Sequence, residues 1–302
     1  MKLSASTKKI LALSAVAVVA AVVLTGCSAP TVTNADGTTS IKVIDLSTTF
    51  NETMSSENWF NAIFVWPLAQ VLNFLEPKIG VVGAIAILTI CVNLILMLAT
   101  LKSTIASQQM QLLQPELDHI QRKYEGREDD ASKMKQANEM QALYKKYNVN
   151  PFSMLLVTFL QFPIIIAMYQ AVERASAIKY GTFLGLSLET TPWNGMKSGQ
   201  WLYLLIFAVM GVCQFFSMMT PQILAKKKAA AEAEKHHRKP EAPKGGQQKI
   251  MQYYMMAMIL VFGLMWPTAM SIYWSIYSLV TIVKTLLVQK IIDNKQKEGA
   301  IK

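Results

Sequence analysis

The sequence predicts an all-α integral membrane protein: a five-transmembrane-helix bundle with a cytoplasmic antiparallel helical hairpin and a polar groove. Three observations lead there. Five apolar stretches, at about 81–101, 153–173, 201–219, 250–266 and 270–291, approach the roughly 20 residues that cross ~30 Å of hydrocarbon at 1.5 Å per residue. Lys and Arg crowd into alternate connections between these stretches. Uncharged polar residues recur inside the stretches, where lipid offers them no hydrogen-bond partner. The chain is 52% hydrophobic yet carries a formal charge of +10. Because the basic residues lie between apolar runs, topology accounts for them, and no DNA partner is expected.

The elements follow in order. Residues 1–26 read as a signal peptide: Lys2, Lys8 and Lys9 precede a short apolar run that ends in Leu24-Thr25-Gly26-Cys27, a pattern resembling the lipobox of bacterial lipoproteins. Cys27 is then the lipidated first residue of the mature chain, carrying a fatty acyl group such as palmitate. Residues 27–56 are polar and read as an extracytoplasmic tether. Residues 57–79 have apolar positions at helical spacing interrupted by Asn61, Pro67, Gln70 and Asn73. They predict an amphipathic helix lying in the membrane interface, with Trp59 and Trp66 at headgroup level.

The insertion at 103–148 carries two helical patterns. Leu113, Leu117, Ile120 and Tyr124 recur at intervals of four, three and four, and Ala137, Met140, Tyr144 and Tyr147 recur after the charged turn at 126–130. This is a helical hairpin, with Pro115 in the first turn of its first helix. Its apolar stripe is narrow, which predicts a mobile hairpin rather than a domain with its own core. Asn150-Pro151 opens the second span, where an Asn cap precedes a proline already set for the helix. Thr158, Gln161 and the helix-breaking Pro163 follow inside that span. Residues 221–249 form a basic loop, Pro267 sits in a short turn between the last two spans, and residues 293–302 form the tail.

Orientation follows from charge. The hairpin region from Lys102, the 221–249 loop and the tail region from Lys284 hold 8, 8 and 5 Lys and Arg, 21 in all, against 2 and 3, or 5, in the mature N-terminal segment through Lys78 and the 174–200 loop. The positive-inside rule puts the first group in the cytoplasm and the N-terminus outside. A lipidated N-terminus requires the same side, and five spans bring the C-terminus to the cytoplasm of a bacterial plasma membrane.

The chemistry of the spans is defined by what they lack. Their interiors contain no Asp, Glu or His. No H-E-x-x-H, Gly-x-Ser-x-Gly or Walker-type glycine loop occurs, and the three cysteines have no metal spacing. This predicts no catalytic residue, no metal, no cofactor and no enzyme activity. The remaining candidates are Asn93, Thr158, Gln161, Gln170, Gln214, Ser217, Tyr273 and Ser278. Each could serve as an interhelical hydrogen-bonding group worth ~0.6–2 kcal/mol, or line a wet groove.

Leu112–Pro115 (L-L-Q-P), Ala142–Pro151 (A-L-Y-K-K-Y-N-V-N-P), Gln161–Pro163 (Q-F-P) and Trp266–Trp274 (W-P-x-x-x-x-x-Y-W) together resemble the YidC/Oxa/Alb membrane-insertase family. The five-span lipoprotein layout is similar to its Gram-positive members, and the likeness runs from about residue 57 to 292. The resemblance implies a membrane protein insertase or chaperone. Its groove would be open to the cytoplasm and to lipid and closed towards the outside. Implied partners are nascent membrane proteins, membrane lipids and the Sec translocon. The ribosome is a further candidate through the basic loop and tail, although topogenic charge explains those lysines equally well. One departure stands out: most members carry an arginine in the groove at the position that counts to Asn93 here. The glycine usual before the last span is Ala269. The competing classes are a non-insertase membrane transporter, which would ordinarily need intramembrane charge, and a scaffold lipoprotein.

Overall fold

The computed structural model describes residues 29–34, 36–127, 129–147, 149, 152–235 and 246–298; of these, the side chains of 152–160, 229, 232, 235 and 246–252 are not described. Signal residues 1–26, Cys27 and Pro151 lie outside the described residues. In the described order the chain forms β1 (Thr31–Thr33), β2 (Thr39–Ile41), α1 (Phe50–Ser56), a widened π-type turn (Asn61–Val65) and α2 (Trp66–Leu112). Next come α3 (Gln114–Lys123), α4 (Asp130–Lys146), α5 (Phe152–Arg174), α6 (Ser176–Lys179), β3 (Thr182–Phe183), β4 (Leu186–Ser187) and α7 (Pro192–Lys197). The chain closes with α8 (Leu202–Lys235), α9 (Gly246–Met265) and α10 (Thr268–Lys297). Among the described residues the strands form two small antiparallel ribbons, β1–β2 and β3–β4, beside one isolated bridge. The protein is therefore an all-α integral membrane protein.

Among the described residues, three helical stretches are long and apolar enough to cross a membrane: Asn61–Leu112, Leu202–Lys228 and Thr268–Lys297. Tyr253–Met265 is a shorter apolar helix, and α5 has 23 residues.

Helix α2 is broken once, at Gly80, with φ 72° and ψ 169°. That conformation is open to glycine and strained for a residue with a Cβ. The break separates 66–79, where the interfacial helix was expected, from the first apolar span. Helix α2 then continues past Lys102 to Leu112 instead of giving way to the hairpin. Residues 103–112 contain no helix breaker, and Ile105 and Leu112 are buried in a cluster with Ala225, Val288 and Ile292. A lysine ends an apolar stretch without ending a helix. Similarly, α8 extends through Lys226–Lys228 to Lys235, over Ala, Lys and Glu residues of high helix propensity.

The chain divides into two compact units. One comprises the residues up to Leu88, Thr158–Leu204 and Trp266–Tyr273; the other comprises Thr89–Val157, Leu205–Met265 and Trp274–Lys302.

In the first unit the polar N-terminal segment is built into the fold. Ile44 is fully buried and forms a parallel bridge with Ala175, its N–H donating to Arg174 O at 2.7 Å. Trp66 Nε1 donates to Thr48 O, and Gln70 Nε2 donates to Asp45 O and Thr48 O. A stretch read from composition as a tether thus makes specific contacts, because its backbone groups meet polar side chains of α2 and α5. The turn around Pro267 is docked too: Thr268 N–H and Oγ1 both donate to Thr190 O, and Tyr169 stacks on Trp266 at 4.7 Å between ring centroids.

In the second unit the hairpin, expected to lack a core of its own, has a small one, because Met110 and Val149 from its flanks complete its narrow apolar stripe. Met110, Leu113, Leu117, Leu143 and Val149 are buried together, flanked by Ile120, Met140, Tyr144 and Tyr147. Pro115 occupies the first turn of α3, as its missing N–H favours. Tyr147, just past α4, bonds Glu116 near the start of α3 (2.7 Å), and Lys123 at the end of α3 bonds Glu139 within α4 (2.6 Å). That register makes the two helices antiparallel.

Candidate functional site

Most of the polar span residues singled out in the sequence are buried. In the second unit Asn93 is 6% exposed. Its Nδ2 donates to Thr89 O one turn back on α2 at 2.9 Å, which fixes the amide and leaves Oδ1 as an acceptor with no partner. Thr89 itself is buried, and its hydroxyl also lacks a partner. The structure brings Gln214 and Ser278 together: Ser278 Oγ donates to Gln214 Oε1 at 2.6 Å, with both side chains buried. This bond joins α8 to α10 through apolar sequence. Ser217, one turn beyond Gln214 on α8, is half-buried.

Two contacts missed in the sequence tie the same unit together nearer the hairpin. Gln108 Nε2 donates to Thr285 O at 3.1 Å and to Gln289 Oε1 at 3.0 Å, joining α2 to α10. Lys228 Nζ donates to Gln296 Oε1 at 3.0 Å, joining α8 to α10. Gln108 sits at a position that reads equally well as a solvated helix face, so only its burial reveals the contact.

In the first unit, Gln170 and Tyr273 are buried and Gln161 is half-buried, with Pro163 inside α5. Thr158 lies on α5 by its backbone, its side chain being outside the described set. Pro267 sits between α9 and α10. One turn beyond Gln170, Arg174 is fully buried, and its Nη2 donates to Glu57 Oε1 at 2.5 Å. The sequence signal for Arg174 was only a charge at a span end.

Electrostatics outside the spans centre on Glu139. It accepts from Lys123 and from Tyr124 (2.8 Å), and these bonds, the lysine's first, hold its carboxyl below the ordinary glutamate range. Among the described residues no cluster of His, Cys, Asp or Glu could hold a metal ion. The chemistry on offer is hydrogen bonding by uncharged groups within apolar helices.

Helices of this kind, with buried amides and hydroxyls along apolar sequence, define a multi-pass membrane protein. The family model described as "60Kd inner membrane protein" matches residues 74–296. "Membrane protein insertase YidC 1" of Streptococcus pyogenes is 34% identical over 247 residues, covering 80% of this chain and 79% of the relative. "Membrane protein insertase YidC" of Alkalihalophilus pseudofirmus is 30% identical over 77% of this chain and 83% of the relative. "Membrane protein insertase YidC 2" of Listeria innocua is 27% identical over 82% and 78%. The chain belongs to the 60Kd inner membrane protein family, that of YidC, Oxa and Alb proteins.

Proposed function

We propose that this protein is a membrane protein insertase. It takes a substrate's hydrophilic tail partway across the bilayer through a polar intramembrane groove and releases the apolar segment sideways into lipid. The observation that carries the reading is the set of buried, uncharged hydrogen-bonding groups in apolar helices, Asn93 with its unpartnered Oδ1 and the Gln214–Ser278 pair foremost. A charged residue at mid-bilayer costs ~2.5–3.5 kcal/mol on the insertion scale, so hydration along part of the path lowers the barrier. Burial of the apolar segment in lipid drives the step, and no nucleotide is required.

The layout that goes with this function has five spans, with α5 and α9 added to the three longest helical stretches. Charge asymmetry supports an outside N-terminus anchored through Cys27 and a cytoplasmic hairpin and tail. The protein works on nascent membrane proteins, alone or beside the Sec translocon, with the basic loop and tail available to a ribosome. With Asn93 where an arginine would place a fixed charge, groove hydration takes the place of an ion pair with acidic substrate tails.

The test is insertion of a small single-span substrate with a short hydrophilic tail into purified proteoliposomes, without nucleotide or translocon. Protease protection of the tail should exceed that of empty liposomes and be lost in Gln161→Leu/Asn93→Leu. Equal protection in that double variant would remove the groove from the mechanism, and protection no better than empty liposomes would remove autonomous insertion.

A further inference from the structure

Arg174 ends α5 with its guanidinium fully buried. Arginines at the ends of membrane helices ordinarily extend to water; this one is covered by the N-terminal segment. Its Nη2 donates to Glu57 Oε1, and its Nε donates to Lys42 O at 2.8 Å. The Glu57 side chain is 1% exposed; its Oε2 accepts from Asn61 Nδ2 at 2.9 Å, and Lys42 Nζ lies 3.6 Å from Oε1. The backbone closes alongside. Ile44 N–H donates to Arg174 O, and Ser176 N–H donates to Ile44 O at 2.9 Å. Asn73, 3% exposed, donates to Ile44 O at 2.8 Å and accepts from Ala177 N–H at 3.0 Å.

Every one of these groups belongs to the same compact unit. Lys42, Ile44, Glu57, Asn61 and Asn73 all precede residue 74, where the family match begins. A buried ion pair seldom stabilises more than a well-packed apolar pair would; its better-attested gift is a unique geometry. Here it fixes one register of strand against helix end, one helical turn beyond the buried amide of Gln170.

We infer that residues 42–57 are a seal over the outer end of α5, locked by the Glu57–Arg174 pair and shut throughout the working cycle. The seal deepens the insertase reading and rests on the outside N-terminus: it names the groups that stop a polar route running past Gln170 to the exterior. It also satisfies one carbonyl at the end of α5, since the Ile44 N–H donates to Arg174 O.

The test uses the full-length protein in sealed proteoliposomes, with Cys91→Ser, Cys213→Ser and a reporter Ala171→Cys, read with a membrane-impermeant maleimide from the N-terminal side. Ala171 is fully buried next to Gln170. The reporter should be protected when Glu57 is intact, label at least about tenfold faster with Glu57→Gln, and regain protection in Glu57→Arg/Arg174→Glu, as local opening controls access. Labelling that Glu57→Gln leaves unchanged would overturn the lock.

Should Glu57→Gln fail to fold, Ile44→Cys/Ala175→Cys joins the two bridge partners directly. Insertion that survives oxidation of this pair supports a permanent seal, and insertion lost on oxidation and regained on reduction overturns it. The reduced pair, made without Ala171→Cys, is also read by maleimide access to Ile44→Cys and Ala175→Cys in the absence of substrate, which a shut seal protects, so the seal and the insertase reading fail separately.

Discussion

Replacing both members of the Gln214–Ser278 pair with apolar residues separates two roles that any polar side chain in a membrane helix can play. Ser278→Ala removes the donor of a 2.6 Å bond and leaves Gln214 Oε1 buried without a partner. Hydrogen bonds between membrane helices average ~0.6 kcal/mol and reach nearly 2, while a stranded buried acceptor costs ~1–3 kcal/mol. A loss of about 1–2 kcal/mol is therefore expected for Ser278→Ala. Gln214→Leu should cost less, under about 1 kcal/mol, because the Ser278 hydroxyl can turn back to the carbonyl four residues earlier on its own helix. The double variant Gln214→Leu/Ser278→Ala strands nothing and should return to within about 0.5 kcal/mol of the starting protein, giving a coupling energy of about 2 kcal/mol. Equilibrium unfolding in mixed micelles measures these values, and the proteoliposome assay measures insertion on the same samples. If the pair lines a hydrated groove, the double variant recovers stability and still inserts at less than about a fifth of the original rate, a barrier rise of ~1 kcal/mol. A double variant that is stable and fully active would refute the reasoning: the pair would then be interhelical glue alone.

Two further outcomes are expected. Metabolic labelling with a fatty acid should mark the unaltered protein and not Cys27→Ala; label retained by Cys27→Ala would defeat the lipid anchor. Glu139, whose folded pKa is depressed, contributes hairpin stability above its unfolded value that is lost as pH falls through the folded one. Distances between spin labels on α3 and α4 should therefore hold from about pH 7 to about pH 5 and broaden only below the ordinary glutamate value of ~4.3, a step absent in Glu139→Gln. Broadening already between pH 7 and 5 would place the controlling group elsewhere.

The parts of the fold that are periodic or punctuated could be read from the chain. Apolar length points to the three helical stretches long and apolar enough to cross a membrane, and Pro115 and Pro267 mark helix boundaries for the local reason that each removes an N–H. What hydropathy does not report is helix continuation. Lys102 and Lys226–Lys228 end apolar runs but not helices, because a lysine changes solvent preference while remaining a good helix former. The span polar residues were legible one at a time, yet the pairing of Gln214 with Ser278, 64 positions apart, has no sequence signature.

Arg174 shows the limit most clearly. A basic residue at the end of an apolar helix has two physical destinies, the water outside or a buried carboxylate, and composition favours the first. Its carboxylate, Glu57, lies 117 positions away, in a segment whose Ser, Thr and Asn content reads as solvated chain. Burying the guanidinium requires several partners at once: Glu57, the Lys42 carbonyl, and the Asn73 and Ile44 contacts that exclude water. Removing Glu57 leaves the guanidinium an unpaired charge in a dry site, at a cost of roughly 3–5 kcal/mol for a broken buried pair. The 42–57 segment can therefore be specified by a few polar residues without an apolar core of its own, and for that reason its sequence looks like a tether.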